Sequence, residues 1–234
     1  MHYGKFPVDV RTFFRTCLEP RCFKMINRTF NPRGMPLQQQ TGIKNIMEQI
    51  RKLFEQREQL SDADWDFFAS KLVRRPFNKK ALLLKTGQTE HYLSFIEKGA
   101  VRFYIDREDR ELTFAFAFAN GFVSGYDSFL TRLPSGYHIE TLTETVLWRL
   151  SYDDLQDVYR QTAVGNAIGR YAGEELFLKK SRRELSLLNE TAEQRYLKLF
   201  TEQPELLQKI PLKYIASYIG ITPQALSRIR RRIY

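Results

Sequence analysis

A chain of 234 residues with 43% hydrophobic content can fill one large domain or two modest ones, and it has no run of about 18 apolar residues to span a membrane. Two cysteines, Cys17 and Cys22, exclude a disulfide framework and an iron–sulfur cluster, and the N-terminus lacks the apolar core and cleavage site of a secretory signal, so a cytoplasmic location is expected. The net charge of +10 sits at the ends, +6 in residues 1–44 and +6 in residues 206–234, which leaves −2 for the body and points to a localised polyanion partner.

Residues 1–46 are expected to form a flexible extension. Pro32, Gly34, Pro36 and Gly42 break any periodicity there, and Met47 offers an alternative start. The first expected helix begins about Met47, with Ile46, Ile50, Leu53 and Phe54 on one face. Ser61, followed by Asp62 and Asp64, caps a second helix whose Trp65, Phe68, Ala69 and Leu72 face inward. Over residues 76–150 the period becomes two. The segments 81–84, 92–96, 101–105, 112–118, 138–143 and 146–150 read as short strands between turns, which predicts an antiparallel roll or barrel. In 112–118 large residues alternate with small ones, so Phe114, Phe116 and Phe118 are expected together on one core-filling face.

From Ser151 onward the pattern is helical. Acids in the first turn of 151–155 suit a helix start, and residues 164–188 follow without a proline. Ile168, Tyr171, Ala172, Leu176, Leu178, Leu185 and Leu188 form a stripe broken by Glu175, Arg182 and Arg183, as in a dimer seam whose polar positions fix register. Thr191 and Gln194 make a capping box that starts a new helix, with Leu197, Phe200 and Leu206 as its expected core contacts.

Pro211 then opens the motif that carries function. Ile215, Ala216 and Ile219 share a face, Gly220 can take the positive φ that reverses the chain, and Ile221 plugs the turn. Thr222 caps a second helix with Pro223 at its first position, and Leu226 and Ile229 return to the core. That leaves Gln224, Ser227, Arg228 and Arg231 on the opposite face at spacings of three and four. This is a helix-turn-helix with a basic recognition face. Arginine can bridge guanine O6 and N7, and glutamine adenine N6 and N7, while Lys213 and the outer arginines suit phosphates. The expected DNA-contacting set is Lys213, Thr222, Gln224, Ser227, Arg228 and Arg231.

The tail "PLKYIASYIGITPQALSRIRRR" resembles truncated, Bacteroidetes-type regulators of the Crp/Fnr superfamily. The segments "FIEKGAVRFYI", "FAFANGFVSGYDSFL" and "LSYDDLQDVY" are similar to that superfamily's cyclic-nucleotide-binding β-roll and the helix after it. The resemblance implies a homodimer formed through a long central helix, a palindromic double-stranded DNA site, and RNA polymerase as a further candidate partner. Family members follow the recognition helix with a β-wing; the sequence ends at Tyr234, so wing contacts are expected to be absent. In nucleotide-binding relatives a loop and short helix hold the cyclic phosphate through backbone amides, an acid and an arginine. Here Gly125 or Tyr126 stands where the acid is expected, and no arginine lies between Pro134 and Ile139. A buried phosphate without a cationic partner is costly to desolvate. Ser124, Gly125, Tyr126 and Arg132 remain as the lining of a pocket whose effector is unknown and is not expected to be cAMP.

No cofactor, metal site or catalytic set is expected. His91 and His138 read as structural, and no nucleophile with a local base appears. The expected fold class is α+β: a flexible extension (1–46), a cyclic-nucleotide-binding-like antiparallel β-roll or jelly roll (47–160), a long dimerisation helix (161–190) and a C-terminal helix-turn-helix domain (191–234). The expected function is that of a homodimeric, sequence-specific transcription regulator with a degenerate small-molecule sensor. The competing reading is a β-roll that binds a small molecule or protein and has only non-specific nucleic-acid affinity.

Overall fold

The computed structural model describes residues 37–56, 59–163 and 165–233. Most of the expected extension, with Cys17 and Cys22, lies outside the described residues. Packing separates residues 1–40 from a second unit, 41–234, that holds the sheets and the C-terminal helices. Helix α1 (Leu37–Glu55) starts ten residues before Met47, inside the stretch expected to lack structure. Among the described residues no helix is long and apolar enough to cross a membrane.

Ser61 caps α2 (Asp62–Ser70) as expected, its hydroxyl accepting the Asp64 amide at 3.1 Å. Ile50, Phe54, Trp65 and Phe68 then pack on Phe95, Trp148 and Leu150 of the roll, with Phe54 and Phe68 edge to face at 5.1 Å.

Eight antiparallel strands form the roll. One sheet runs β1 (Val73–Phe77), β8 (Thr145–Ser151), β3 (Tyr92–Lys98), β6 (Phe122–Val123); the other runs β2 (Leu82–Leu84), β7 (His138–Thr141), β4 (Ala100–Asp106), β5 (Glu111–Phe118). Leu84, Ile96, Val101, Val123, Ile139 and Leu147 fill the space between them. Gly99 closes the β3–β4 turn at φ 110, and a Cβ there would lie 2.8 Å from the Glu144 carbonyl. The short helix α3 (Tyr126–Thr131) sits between β6 and β7.

The phenylalanines of β5 do not share a face. Register shifts between Phe103, opposite Ala115, and Tyr104, opposite Thr113, so Phe114 is the extra residue of a β-bulge. Phe114 turns toward Phe103 and Tyr137, at ring distances of 6.0 and 5.2 Å, whereas Phe116 and Phe118 pack on the C-terminal helices. Strict alternation cannot foresee this, because one inserted residue inverts the facing of everything beyond it.

The remaining helices are α4 (Tyr152–Gln161), α5 (Gly165–Asn189), α6 (Ala192–Glu202), α7 (Pro204–Lys209), α8 (Leu212–Tyr218) and α9 (Pro223–Ile233). Both halves of the Thr191–Gln194 capping box form. Helix α6 is rotated from the expected phase: Tyr196 and Leu199 are buried, whereas Leu197 and Phe200 are 43% and 41% exposed. Leu206, on the unforeseen α7, completes that core as expected. Phe177, Leu178, Leu185, Leu187 and Leu188 of α5 stand exposed. Arg183 does not join that stripe; its guanidinium lies 3.9 Å over the Tyr218 ring and donates to the Tyr218 carbonyl.

Candidate nucleic-acid interface and sensor site

Ile215 and Ala216 of α8, Ile219 at its C-cap, and Leu226 and Ile229 of α9 form one core with α6 and α7. The turn between α8 and α9 closes as its residues dictate. Gly220 takes φ 83, its amide bonds the Ser217 carbonyl at 3.0 Å, and the Ile221 amide bonds the Ala216 carbonyl at 2.9 Å. Two arginines that the motif did not announce complete the cap: Arg195 Nε donates to the Ile219 carbonyl at 2.9 Å, beside Arg183 on Tyr218. Cations at the negative end of a helix suit its dipole. Thr222 Oγ1 accepts the Ala225 amide at 3.2 Å and so caps α9.

Burial of Leu226 and Ile229 fixes which way α9 faces. Gln224, Ser227, Arg228 and Arg231 are exposed, and among the described residues Arg228 and Arg231 have no ion-pair partner. Ser227 bonds back to the Pro223 carbonyl at 3.0 Å. Arg232 is held by Glu193 at 2.8 Å. Lys213 is exposed at the start of α8, with its ammonium 4.7 Å from the Tyr214 ring. All six residues of the expected set are exposed, Lys213 at the start of α8 and the others at the start of α9 or along it, with Thr222 serving as its cap.

Helix α8 also docks on the roll. Ser217 Oγ accepts the Thr113 amide beside the bulge at 2.8 Å and donates to the Glu111 carbonyl at 3.3 Å, while Phe116 meets the Tyr218 ring at 5.3 Å. Arg102 is buried at this junction, 2% exposed, bonded to Glu140 at 2.7 Å and Glu111 at 2.5 Å. The rings of Tyr104 and Tyr214 flank it at 4.0 and 4.3 Å. Burial disfavours its charge, but the two carboxylates outweigh that and raise its pKa.

The four expected pocket residues do not converge on an open site. Ser124 donates to the Tyr92 carbonyl at 2.9 Å. Tyr126 stacks on Phe129 within the helix-side core, where burial raises its pKa. A Cβ on Gly125 would lie 2.5 Å from Leu84 Cδ2. Arg132 is spent within the chain: Nη1 donates to the Glu90 and Phe129 carbonyls at 2.7 and 3.1 Å, Nη2 meets His91 Nδ1 at 2.9 Å, and Tyr152 lies beneath at 4.4 Å. His138 is structural in its contacts, stacked on Tyr104 at 4.8 Å with Nε2 3.0 Å from Asp106. Sequence reading missed two charged residues here. Glu90 is buried and takes the amides of Gly125, His91 and Tyr92. Arg149 shares the face of β8 that carries Leu147 and lies 3.6 Å over the Tyr92 ring; burial lowers its pKa, and its Nε has no hydrogen-bond partner among the described residues.

Residues 74–162 match the family described as the cyclic nucleotide-binding domain. The global regulator CLP of Xanthomonas campestris, described as c-di-GMP responsive, superposes with a TM-score of 0.57 at 19% identity over 74% of this chain and 91% of CLP. A transcriptional regulator of the crp/fnr family from Eubacterium rectale gives 0.60 at 16% identity over 74% and 83% of the two chains. FixK2 from Bradyrhizobium japonicum gives 0.61 at 15% identity over 69% and 84%. The chain shares the fold of these three structures. Its roll and C-terminal helices agree with the expected α+β class. No curated protein matches the sequence.

Proposed function

We propose that the chain is a homodimeric, sequence-specific DNA-binding transcription regulator of Crp/Fnr type whose sensor does not use a cyclic nucleotide. The observation that carries this reading is the face of α9: a capped helix with its apolar residues buried presents Gln224, Ser227, Arg228 and Arg231 to solvent. Gln224, Ser227 and Arg228 read base edges in the major groove, while Lys213 and Arg231 hold phosphates. Binding to a labelled duplex in the presence of excess unrelated DNA tests the reading. A specific regulator retains one class of sequence, whereas a module with only non-specific affinity is competed away and released by moderate salt.

Dimerisation is assigned to α5. Leu178 and Leu185 are seven residues apart, Leu188 lies three beyond, and all three are 45–74% exposed. Burying each such side chain against a second copy is worth about 1.5–3 kcal/mol. The double substitution Leu178→Glu with Leu185→Glu is therefore expected to give monomers at micromolar concentration in sedimentation, with loss of binding to palindromic sites. Wild-type protein that sediments as a monomer at that concentration would remove the dimer from the proposal.

Calorimetric titration with cAMP and with cGMP is expected to show no binding. Arg132 is engaged elsewhere, and the space beside Gly125 holds Leu84 and Glu90. Two missing charge-assisted hydrogen bonds weaken affinity by roughly two to four powers of ten. A micromolar isotherm with one nucleotide per subunit would show that the site can reopen.

A further inference from the structure

We infer that Glu90 acts as the sensor's own ligand, a built-in carboxylate that holds the segment 124–133 closed with no small molecule present. This deepens the reading of the sensor as one that does not use a cyclic nucleotide, and it does not depend on DNA binding.

Every polar group of Glu90 is engaged, most of them by that segment. Its Oε2 accepts the Gly125 amide at 3.2 Å. Its own amide donates to Ser128 Oγ at 3.0 Å, and Ser128 in turn donates to the Leu133 carbonyl at 2.5 Å. Its carbonyl accepts Arg132 Nη1 at 2.7 Å. The remaining oxygen, Oε1, accepts the amides of His91 and Tyr92 at 3.0 and 2.9 Å, which fixes the carboxylate where β3 begins. One residue thus joins the start of the segment to the roll through its carboxylate, and the middle and end through its own backbone amide and carbonyl. Glu90 is only 5% exposed, and a carboxylate is not buried without such compensation. The buried Arg149, without an acid in contact among the described residues, lies over the Tyr92 ring, and the charge of Glu90 opposes the lowering of its pKa by burial. Arg132 adopts φ 60, a conformation that non-glycine residues rarely take, and its three-way bonding and its seat over Tyr152 hold it there.

The groups through which this segment would hold a ligand, namely the Gly125 amide, the Ser128 hydroxyl and the Arg132 guanidinium, are therefore engaged by the chain itself, and the resting state of the sensor is closed.

Amide hydrogen exchange on the full chain, without DNA, tests this directly. In the ligand-free wild type, the amides of residues 90, 125, 129 and 132 are expected to be protected. Glu90→Ala is expected to speed exchange by about tenfold or more at Gly125 and, as that anchor is lost, through 126–132, together with the amides of His91 and Tyr92, which lose the same carboxylate, while the rest of β3 and β8 keep their protection. Glu90→Gln preserves shape but places an NH2 group among backbone donors, and it is expected to give the same local pattern if the alanine variant does not fold. Exchange across 125–132 unchanged in the folded variants would overturn the inference. So would wild-type protein whose exchange in that segment slows on addition of millimolar cAMP, because the resting segment would then be open. A wild type that binds no specific DNA leaves these exchange results untouched, so the two failures are distinguishable.

Discussion

Arg102→Ala is expected to destabilise the protein by about 3 kcal/mol, the largest single loss foreseen outside the apolar core. The guanidinium is 2% exposed and bonded to Glu140, itself only 13% exposed, and to Glu111, which is 45% exposed. Removing it leaves Glu140 ionised and buried without its partner, whereas Glu111 regains water. That division places the cost near the lower end of the roughly 3–5 kcal/mol typical of breaking a buried pair. It also removes the cation from between Tyr104 and Tyr214, and with it one of the contacts that dock α8 on the roll. Urea denaturation reads the loss as a midpoint lowered by about 1–3 M, for slopes in the usual range of small domains. Replacing both partners, Arg102→Met with Glu140→Leu, is expected to recover most of it, because no unpaired charge remains. A loss below about 1 kcal/mol for the single variant would show that the junction is already hydrated.

Arg228→Ala is expected to weaken binding to the preferred site by about 1–3 kcal/mol and to relax sequence preference at one position of each half-site. Arg228 projects from the exposed face of α9, one turn beyond Gln224, with no carboxylate of its own among the described residues. Arg231, a turn further on, is placed for phosphate, so Arg231→Ala is expected to weaken all sequences alike and to reduce the salt slope by about one. An unchanged consensus and affinity for Arg228→Ala would mean that α9 enters the groove in another register.

Much of this was legible in the sequence because it rests on local chemistry. The cap at Thr222, the reversal at Gly220 and the alternation of buried and exposed residues on α9 depend on side chains within a few positions of one another. Six of the eight strands were legible from their period, whereas β1 and the two-residue β6 were not, and the capping box at Thr191 was legible from two residues three apart. What stayed hidden depends on distant partners. Nothing near Phe114 announces the bulge that turns it away from Phe116, because the bulge is a mismatch with β4. Arg183 reads as an interruption of an apolar stripe until α8 ends beside it. Glu90 looks like one more acid between Thr89 and His91; only the folded roll brings it against Gly125, Ser128 and Arg132. The missing arginine of the phosphate site was visible as an absence, but the internal carboxylate of Glu90 that takes the Gly125 amide was not.

Selection of bound duplexes from a random DNA pool, at physiological salt and with no nucleotide added, tests the central claim most directly. The account predicts an enriched two-fold-symmetric sequence whose half-sites are centred one helical turn apart, recovered equally with and without cAMP. A pool that remains random after repeated selection, or one that becomes enriched only when a cyclic nucleotide is supplied, would contradict it.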